Sequence, residues 1–176
     1  LTGTDSIWNY DAVSGFGNGI GSAKADFYIV SSGAQQLTPT LFWRPTTAGD
    51  SLIFQNAYCT FTNENDQLQI LTTSNNGSTW VPFITLNGGI NGPLVTAPPQ
   101  TTPFVPTSAQ WKYQRFHLPI NTNGVRFNAI TAYGNNLYID SICFRLLSGI
   151  VGSNNITEDF SLSQNYPNPF NPSTQI

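Results

Sequence analysis

The period of the hydrophobic pattern limits this chain more than any other feature. Apolar residues recur at every second position, and no stretch carries the wider spacing of an amphipathic helix. In residues 66–73, Leu68, Ile70 and Thr72 fall on one side and Gln67 and Gln69 on the other. Residues 125–133 repeat the arrangement, with Val125, Phe127, Ala129 and Tyr133 expected inward. Further strands are expected over 25–31, 52–62, 80–86, 111–118 and 137–146. Asn75-Asn76-Gly77, Asn87-Gly88-Gly89, Asn123-Gly124 and Gly134-Asn135-Asn136 supply the turns between them. Half-buried strands joined by such turns, without helices, predict an all-β fold, an antiparallel sandwich.

Two segments interrupt the alternation. Residues 88–108 contain Pro93, Pro98, Pro99, Pro103 and Pro106, a density that no central strand tolerates. They are expected to form a long surface loop, a usual carrier of binding. The second interruption sets the domain plan: a sandwich over 1–147, a small-residue linker over 148–159 and an extended tail over 160–176.

Charge removes whole classes of function. Among 176 residues, six Lys and Arg stand against nine Asp and Glu, a net charge of −3 with 9% charged residues overall. A chain so poor in cations has no broad basic field for nucleic acid or anionic lipid. No apolar run approaches the roughly 18 residues of a membrane span. The absence of methionine suggests a processed chain, and the uncharged polar composition fits a secreted one. A single histidine, His117, falls on the outward face of its strand with Tyr113 and Arg115, which leaves a Ser–His–acid triad without its buried orienter. No motif singles out a pair of carboxylates for glycoside hydrolysis. The expectation is a protein that is not an enzyme.

Several residues stand out as candidate sites. Alternation places Asp140 beside Tyr138, Ile142 and Phe144, on what reads as a core face. A buried carboxylate needs compensation. Backbone N–H groups, Arg126, or a calcium ion completed by Asp5 or Asp11 would each supply it. Glu64 and Asp66, in Asn63-Glu64-Asn65-Asp66, offer a second oxygen cluster for calcium, though without the spacing or glycine of an EF-hand loop. Cys59 and Cys143 would form a disulfide in a secreted chain or remain as buried thiols. Trp80 and Trp111 read as core. Trp43 and Arg44, next to Pro45, form either a candidate ligand or partner contact or, for Trp43, packing against the edge of the sandwich.

The C-terminal string Tyr166-Pro167-Asn168-Pro169-Phe170-Asn171-Pro172-Ser173-Thr174 resembles the start of the sorting domain of the bacterial type IX secretion system. The resemblance implies export across the outer membrane to an extracellular or surface location. Such a domain continues for several strands more than this sequence holds. The body resembles the MAM-like jelly-roll modules, or choice-of-anchor domains, of secreted bacterial proteins. The matching residues are Leu52-Ile53-Phe54-Gln55-Asn56-Ala57-Tyr58, Asp66-Gln67-Leu68-Gln69-Ile70, Thr73-Ser74-Asn75-Asn76-Gly77-Ser78-Thr79-Trp80, Trp111, and Gly134-Asn135-Asn136-Leu137-Tyr138-Ile139-Asp140-Ser141-Ile142. That resemblance implies a jelly-roll β-sandwich used in adhesion or ligand binding, in some members with structural calcium.

The tail has too little apolar content to order itself. Phe160, Leu162, Tyr166, Phe170 and Ile176 are its anchors, which would dock either back on their own domain or on a neighbour, where an extended segment of this kind can add to another subunit's sheet edge. The expectation is therefore a secreted subunit that assembles with copies of itself into a filament or surface layer. The alternative is an accessory adhesion or carbohydrate-binding module of a larger secreted protein, with a glycan or surface protein as partner.

Overall fold

A computed structural model describes residues 6–38 and 40–147. Ten strands are found among them, with only two short 3-10 turns, at Gly15–Gly17 and Ser108–Gln110. The strands are β1 (Trp8–Asp11), β2 (Ser22–Ala25), β3 (Gln35–Leu37), β4 (Leu41–Phe42), β5 (Ser51–Tyr58), β6 (Gln67–Thr73), β7 (Val81–Asn87), β8 (Lys112–His117), β9 (Gly124–Ile130) and β10 (Leu137–Arg145). One sheet runs β1-β2-β10-β5-β8 and the other β3-β9-β6-β7, with β4 also paired to β9. All pairings are antiparallel. The fold is the expected antiparallel jelly-roll sandwich.

Alternation builds the core. Leu68 and Ile70 on β6, Val125, Phe127 and Ala129 on β9, Leu52 and Phe54 on β5, and Leu137 and Ile139 on β10 are buried between the sheets. Phe54 meets Phe127 edge-on across the layers, with ring centroids 5.4 Å apart, the geometry that ring quadrupoles favour.

Three expectations about strands are corrected. The strand placed over 25–31 ends at Ala25; Phe27 and Val30, three residues apart, are both buried because a turn bonds the Val30 N–H to the Asp26 carbonyl. The strand over 125–133 ends at Ile130, and Tyr133 adopts φ 65° and points outward, 58% exposed. On β10 the register shifts between Asp140 and Cys143, where Ser141 has φ 51°. Ile142 and Phe144 pack on the core whereas Ser141, Cys143 and Arg145 are exposed. Asp140 therefore shares a face with Tyr138 but not with Ile142 and Phe144.

The proline-rich segment is strandless, as expected, but it is not only surface. Leu94 joins the core between the sheets. Ala97 and Phe104 instead join Ala57, Cys59, Trp111 and Tyr138 in a second apolar cluster on the outer side of the β5–β10 sheet. The segment thus wraps over the end of that sheet and roofs half of its outer face. The Asn135 side chain ties it down by donating to the Gln100 and Thr102 carbonyls, and Tyr138 Oη donates to the Phe104 carbonyl.

Asp66 is the polar counterpart of this packing. Fully buried, it accepts hydrogen bonds from Tyr58 Oη and from the N–H groups of Ala132, Gly134 and Asn135. Burial pushes its carboxyl above the ordinary carboxylate range against the pull of those donors. A Cβ on Gly134 would collide with this carboxylate, so the Gly-Asn-Asn turn is shaped to fit it. Asp66→Ala strands all four donors in the interior and is expected to lower the unfolding free energy by about 3 kcal/mol, measured by urea denaturation.

Candidate functional site

A groove of about 520 Å³ opens where the β1 edge of the first sheet meets β3 of the second. Its floor and walls are residues of β1, β2 and β10 together with Gly21, Thr38 and the bulge at Ser141. The register explains its shape. Tyr10 lies opposite Ala23, and Ala23 opposite Ile139, so the smallest side chain sits between two larger ones and lowers the floor. Beyond Ile139, β10 has no further partner on β2, and Ile142 closes the far side.

Trp8 and Tyr10, two residues apart on β1, put their rings on the same side of the strand. Each ring is fixed. Trp8 Nε1 donates to the Gln36 carbonyl at 3.0 Å, while its backbone N–H donates to Gln36 Oε1 at 2.9 Å. Tyr10 Oη donates to the Ile20 carbonyl, yet the residue stays 71% exposed. Its ring lies across Gly21, where a Cβ would strike both the ring and the Asp11 carbonyl. Glycine at 21 is therefore needed for the Tyr10 ring to lie flat. The lining is mainly apolar, with the hydroxyls of Thr38 and Ser141 at its edge; the Asn9, Ser22 and Asp140 side chains are bonded to Asp26, the Val13 carbonyl and the Gly15 N–H instead. A pair of immobilised aromatic rings above an apolar floor edged by hydroxyls suits a ligand that is apolar on its faces and hydroxylated at its edges.

The residues singled out in the sequence fall elsewhere or are already engaged. Trp43 is not an open platform: its ring stacks on Phe144 at 3.9 Å and packs against the core. Arg44 is used internally, donating to Asp50 Oδ2 at 3.2 Å and to the Pro45 and Leu147 carbonyls. Asp50 also accepts from the Thr47 and Leu147 N–H groups, and the Thr47 bond leads in holding its carboxyl below the ordinary range.

Asp140 is compensated by backbone: its Oδ2 accepts from the Gly15 N–H at 2.6 Å and its Oδ1 from the Ser141 N–H. Arg126 is not its partner. That guanidinium donates to Thr40 Oγ1 and lies 4.3 Å from the centroid of Trp80. Trp80 is half-buried there and Trp111 is in the outer cluster.

The carboxylates of Asp66, Glu64 and Asp140 are not gathered around a common point for calcium. Each is turned to N–H or O–H donors, and among the described residues no three His, Cys, Asp or Glu side chains form a cluster. Asp5 lies outside the described residues, as do the assembly anchors Phe160, Leu162, Tyr166, Phe170 and Ile176.

The disulfide is also corrected: Cys59 and Cys143 are both free thiols. Cys143 pairs with Ile53 and Leu137 with Tyr58, next to Cys59. The two thiols thus sit at opposite ends of the β5–β10 ladder, about 20 Å apart at the strand rise, against the roughly 7 Å limit for bridging. Burial pushes the Cys59 thiol up to about 11, whereas Cys143 is exposed.

His117 faces outward, with its Nδ1 3.1 Å from Ser51 Oγ. The loop over 88–108 carries a smaller hollow of about 300 Å³, lined by Thr60, Ile90, Asn91, Val95 and Pro98 among others.

No family model matches the chain, and no curated protein matches it. Solved structures share its general architecture at low identity. The K3 cleaved adhesin domain of Lys-gingipain from Porphyromonas gingivalis W83 is 16% identical over 72% of this chain and 75% of that one, with a TM-score of 0.46. A family 16 carbohydrate-binding module is 12% identical over 78% and 84% of the two chains, with a TM-score of 0.42. The enzymatically active domain of tailspike protein 4 of bacteriophage CBA120 is 12% identical over 83% of this chain and 18% of that one, at 0.49. Likeness at this level leaves function to the chain's own residues. Among the described residues no helix is long and apolar enough to cross a membrane.

Burial opposes ionisation of Glu64, but hydrogen bonds from the Thr62 side chain and backbone and from Thr60 outweigh it and hold its carboxyl at about 2 against an ordinary 4.5. The stability this contributes is complete above pH 4.5 and is lost as pH falls toward 2. Glu64→Gln should flatten that part of the curve of melting temperature against pH. With a thiol reagent, the native chain should react quickly at Cys143 alone, and Cys59 should react only in denaturant.

Proposed function

We propose that this chain is an exported, non-catalytic glycan-binding module and that the Trp8–Tyr10 groove is its site. One observation carries the reading: an aromatic ring that is 71% exposed is nevertheless pinned in place, beside a second locked ring, over a floor of alanine and isoleucine. Large exposed rings cost solubility, and fixing one in position has value when a flat ligand face stacks on it. Preorganised rings lose little conformational entropy on binding, which suits weak ligands such as oligosaccharides. Thr38 and Ser141 bring hydroxyl groups to the edge of the groove, within reach of sugar hydroxyls.

Binding rather than catalysis is supported by how the described acids are spent: Asp50, Glu64, Asp66 and Asp140 each accept bonds from backbone N–H groups, and Asp11 and Asp26 pair with Lys24. A module is also favoured over a self-assembling subunit. The described sheet edges carry features that discourage pairing. Edge strand β8 bears Lys112, Arg115 and His117, and edge strand β7 bears Pro82 beside a register shift. Export rests on the sorting-like string at 166–174.

The test is affinity electrophoresis of the full chain through gels containing neutral β-glucan, xylan or mannan. Retardation by at least one polymer is expected, together with quenching of tryptophan fluorescence. Tyr10→Ala should weaken that interaction at least tenfold with its melting temperature kept. A wild-type chain that none of the three retards, or a variant that binds as before, would refute the proposal.

A further inference from the structure

The outer face of the first sheet is divided. One half is roofed by Ala97 and Phe104 and by the turn at Gly15–Gly17; on the other half, beyond the Phe16–Tyr113 stack, Arg115, His117, Cys143 and Arg145 are exposed while Ser51 is buried beneath its neighbours. The pairing registers set what stands there. Cys143, Ile53 and Arg115 form one transverse row across β10, β5 and β8, and Arg145, Ser51 and His117 form the next. Arg115 and Arg145 are thus about 10 Å apart across the sheet and about 7 Å along it.

Both arginines are exposed and take part in none of the ion pairs or side-chain hydrogen bonds among the described residues. The other four cations are engaged. Lys24 pairs with Asp11 and Asp26, and Arg44 with Asp50. Lys112 donates to the Pro93 carbonyl, and Arg126 is held between Thr40 and Trp80. The acids nearest these rows are also withdrawn from them. Asp140, one row away, is turned to the Gly15 and Ser141 N–H groups, and Asp50 is fully buried on Arg44, Thr47 and Leu147. The result is a pair of exposed guanidinium groups without partners among the described residues, on a chain whose net charge is −3.

We propose that this face is a second binding site, for an acidic polysaccharide bearing carboxylates, with Arg115 and Arg145 as the recognising groups. Guanidinium pairs with carboxylate in a planar, bidentate fork. Two forks set two strands apart can engage carboxylates on separate residues of one extended chain. The Tyr113 ring, stacked on Phe16 with centroids 5.0 Å apart, borders the rows and offers a surface for the sugar between those carboxylates. Two arginines on an acidic protein make too small a field for nucleic acid or an anionic bilayer, which reward wide basic surfaces. The site lies on the face of the sheet away from the groove floor, so it stands or falls independently of the groove.

Cys143 lies in the first row and reports occupancy directly. The experiment measures binding of the full chain to polygalacturonate by calorimetry, and in parallel the rate of Cys143 modification by a thiol reagent. Binding that weakens with salt, with slower modification of Cys143 in the complex, is expected. The double variant Arg115→Gln/Arg145→Gln should lose at least tenfold in affinity at unchanged melting temperature. Absence of binding, an undiminished affinity in the double variant, or modification of Cys143 at the same rate in the complex would overturn the assignment. So would equal binding to vesicles rich in phosphatidylglycerol, which would mark the patch as a general anion surface.

Discussion

A single irregularity in the central strand of one sheet organises this molecule. Between Asp140 and Cys143, β10 slips by a residue, with Ser141 held at φ 51°. A bulge exchanges the faces of everything beyond it. Before it, Leu137 and Ile139 point into the core; after it, Ile142 and Phe144 do, and Cys143 and Arg145 turn to solvent. The pairing with β2 also ends there, at Ile139. The groove beside Tyr10 and the arginine pair on the outer face are both consequences of this slip.

The rest of the fold supports the two surfaces by closing off alternatives. The proline-rich segment has no ladder of its own, so it lies across the sheet and covers the half of the outer face that holds Tyr138 and Trp111. Buried carboxylates hold the ends of the strands: Asp66 at the β9–β10 turn and Asp50 at the end of β10. These acids are spent on architecture.

Much of the fold was legible in the sequence. Period-two alternation located β5 to β10 to within a few residues and placed Leu68, Ile70, Val125, Phe127 and Ala129 correctly inside. What escaped it were short strands and departures from the period. β1, β3 and β4 have two to four residues each, too few to show a period. The bulge is invisible to a count of alternate positions, which puts Asp140 on one face with Ile142 and Phe144. Beside Arg44 and Pro45, Trp43 reads as a contact or as edge packing, and its ring is in fact stacked on Phe144. The pair Trp8 and Tyr10, with Gly21 to follow, was the available signal: two aromatics at strand spacing and a glycine on the facing turn.

The most direct test is a nuclear magnetic resonance titration of the labelled full chain with a neutral oligosaccharide that retards it in gels. The largest shift changes should fall on the Trp8 indole, Tyr10, Gly21 and Ser141, with residues on β7 unaffected. Changes centred instead on the 88–108 segment, or spread without a focus, would contradict the groove as the site.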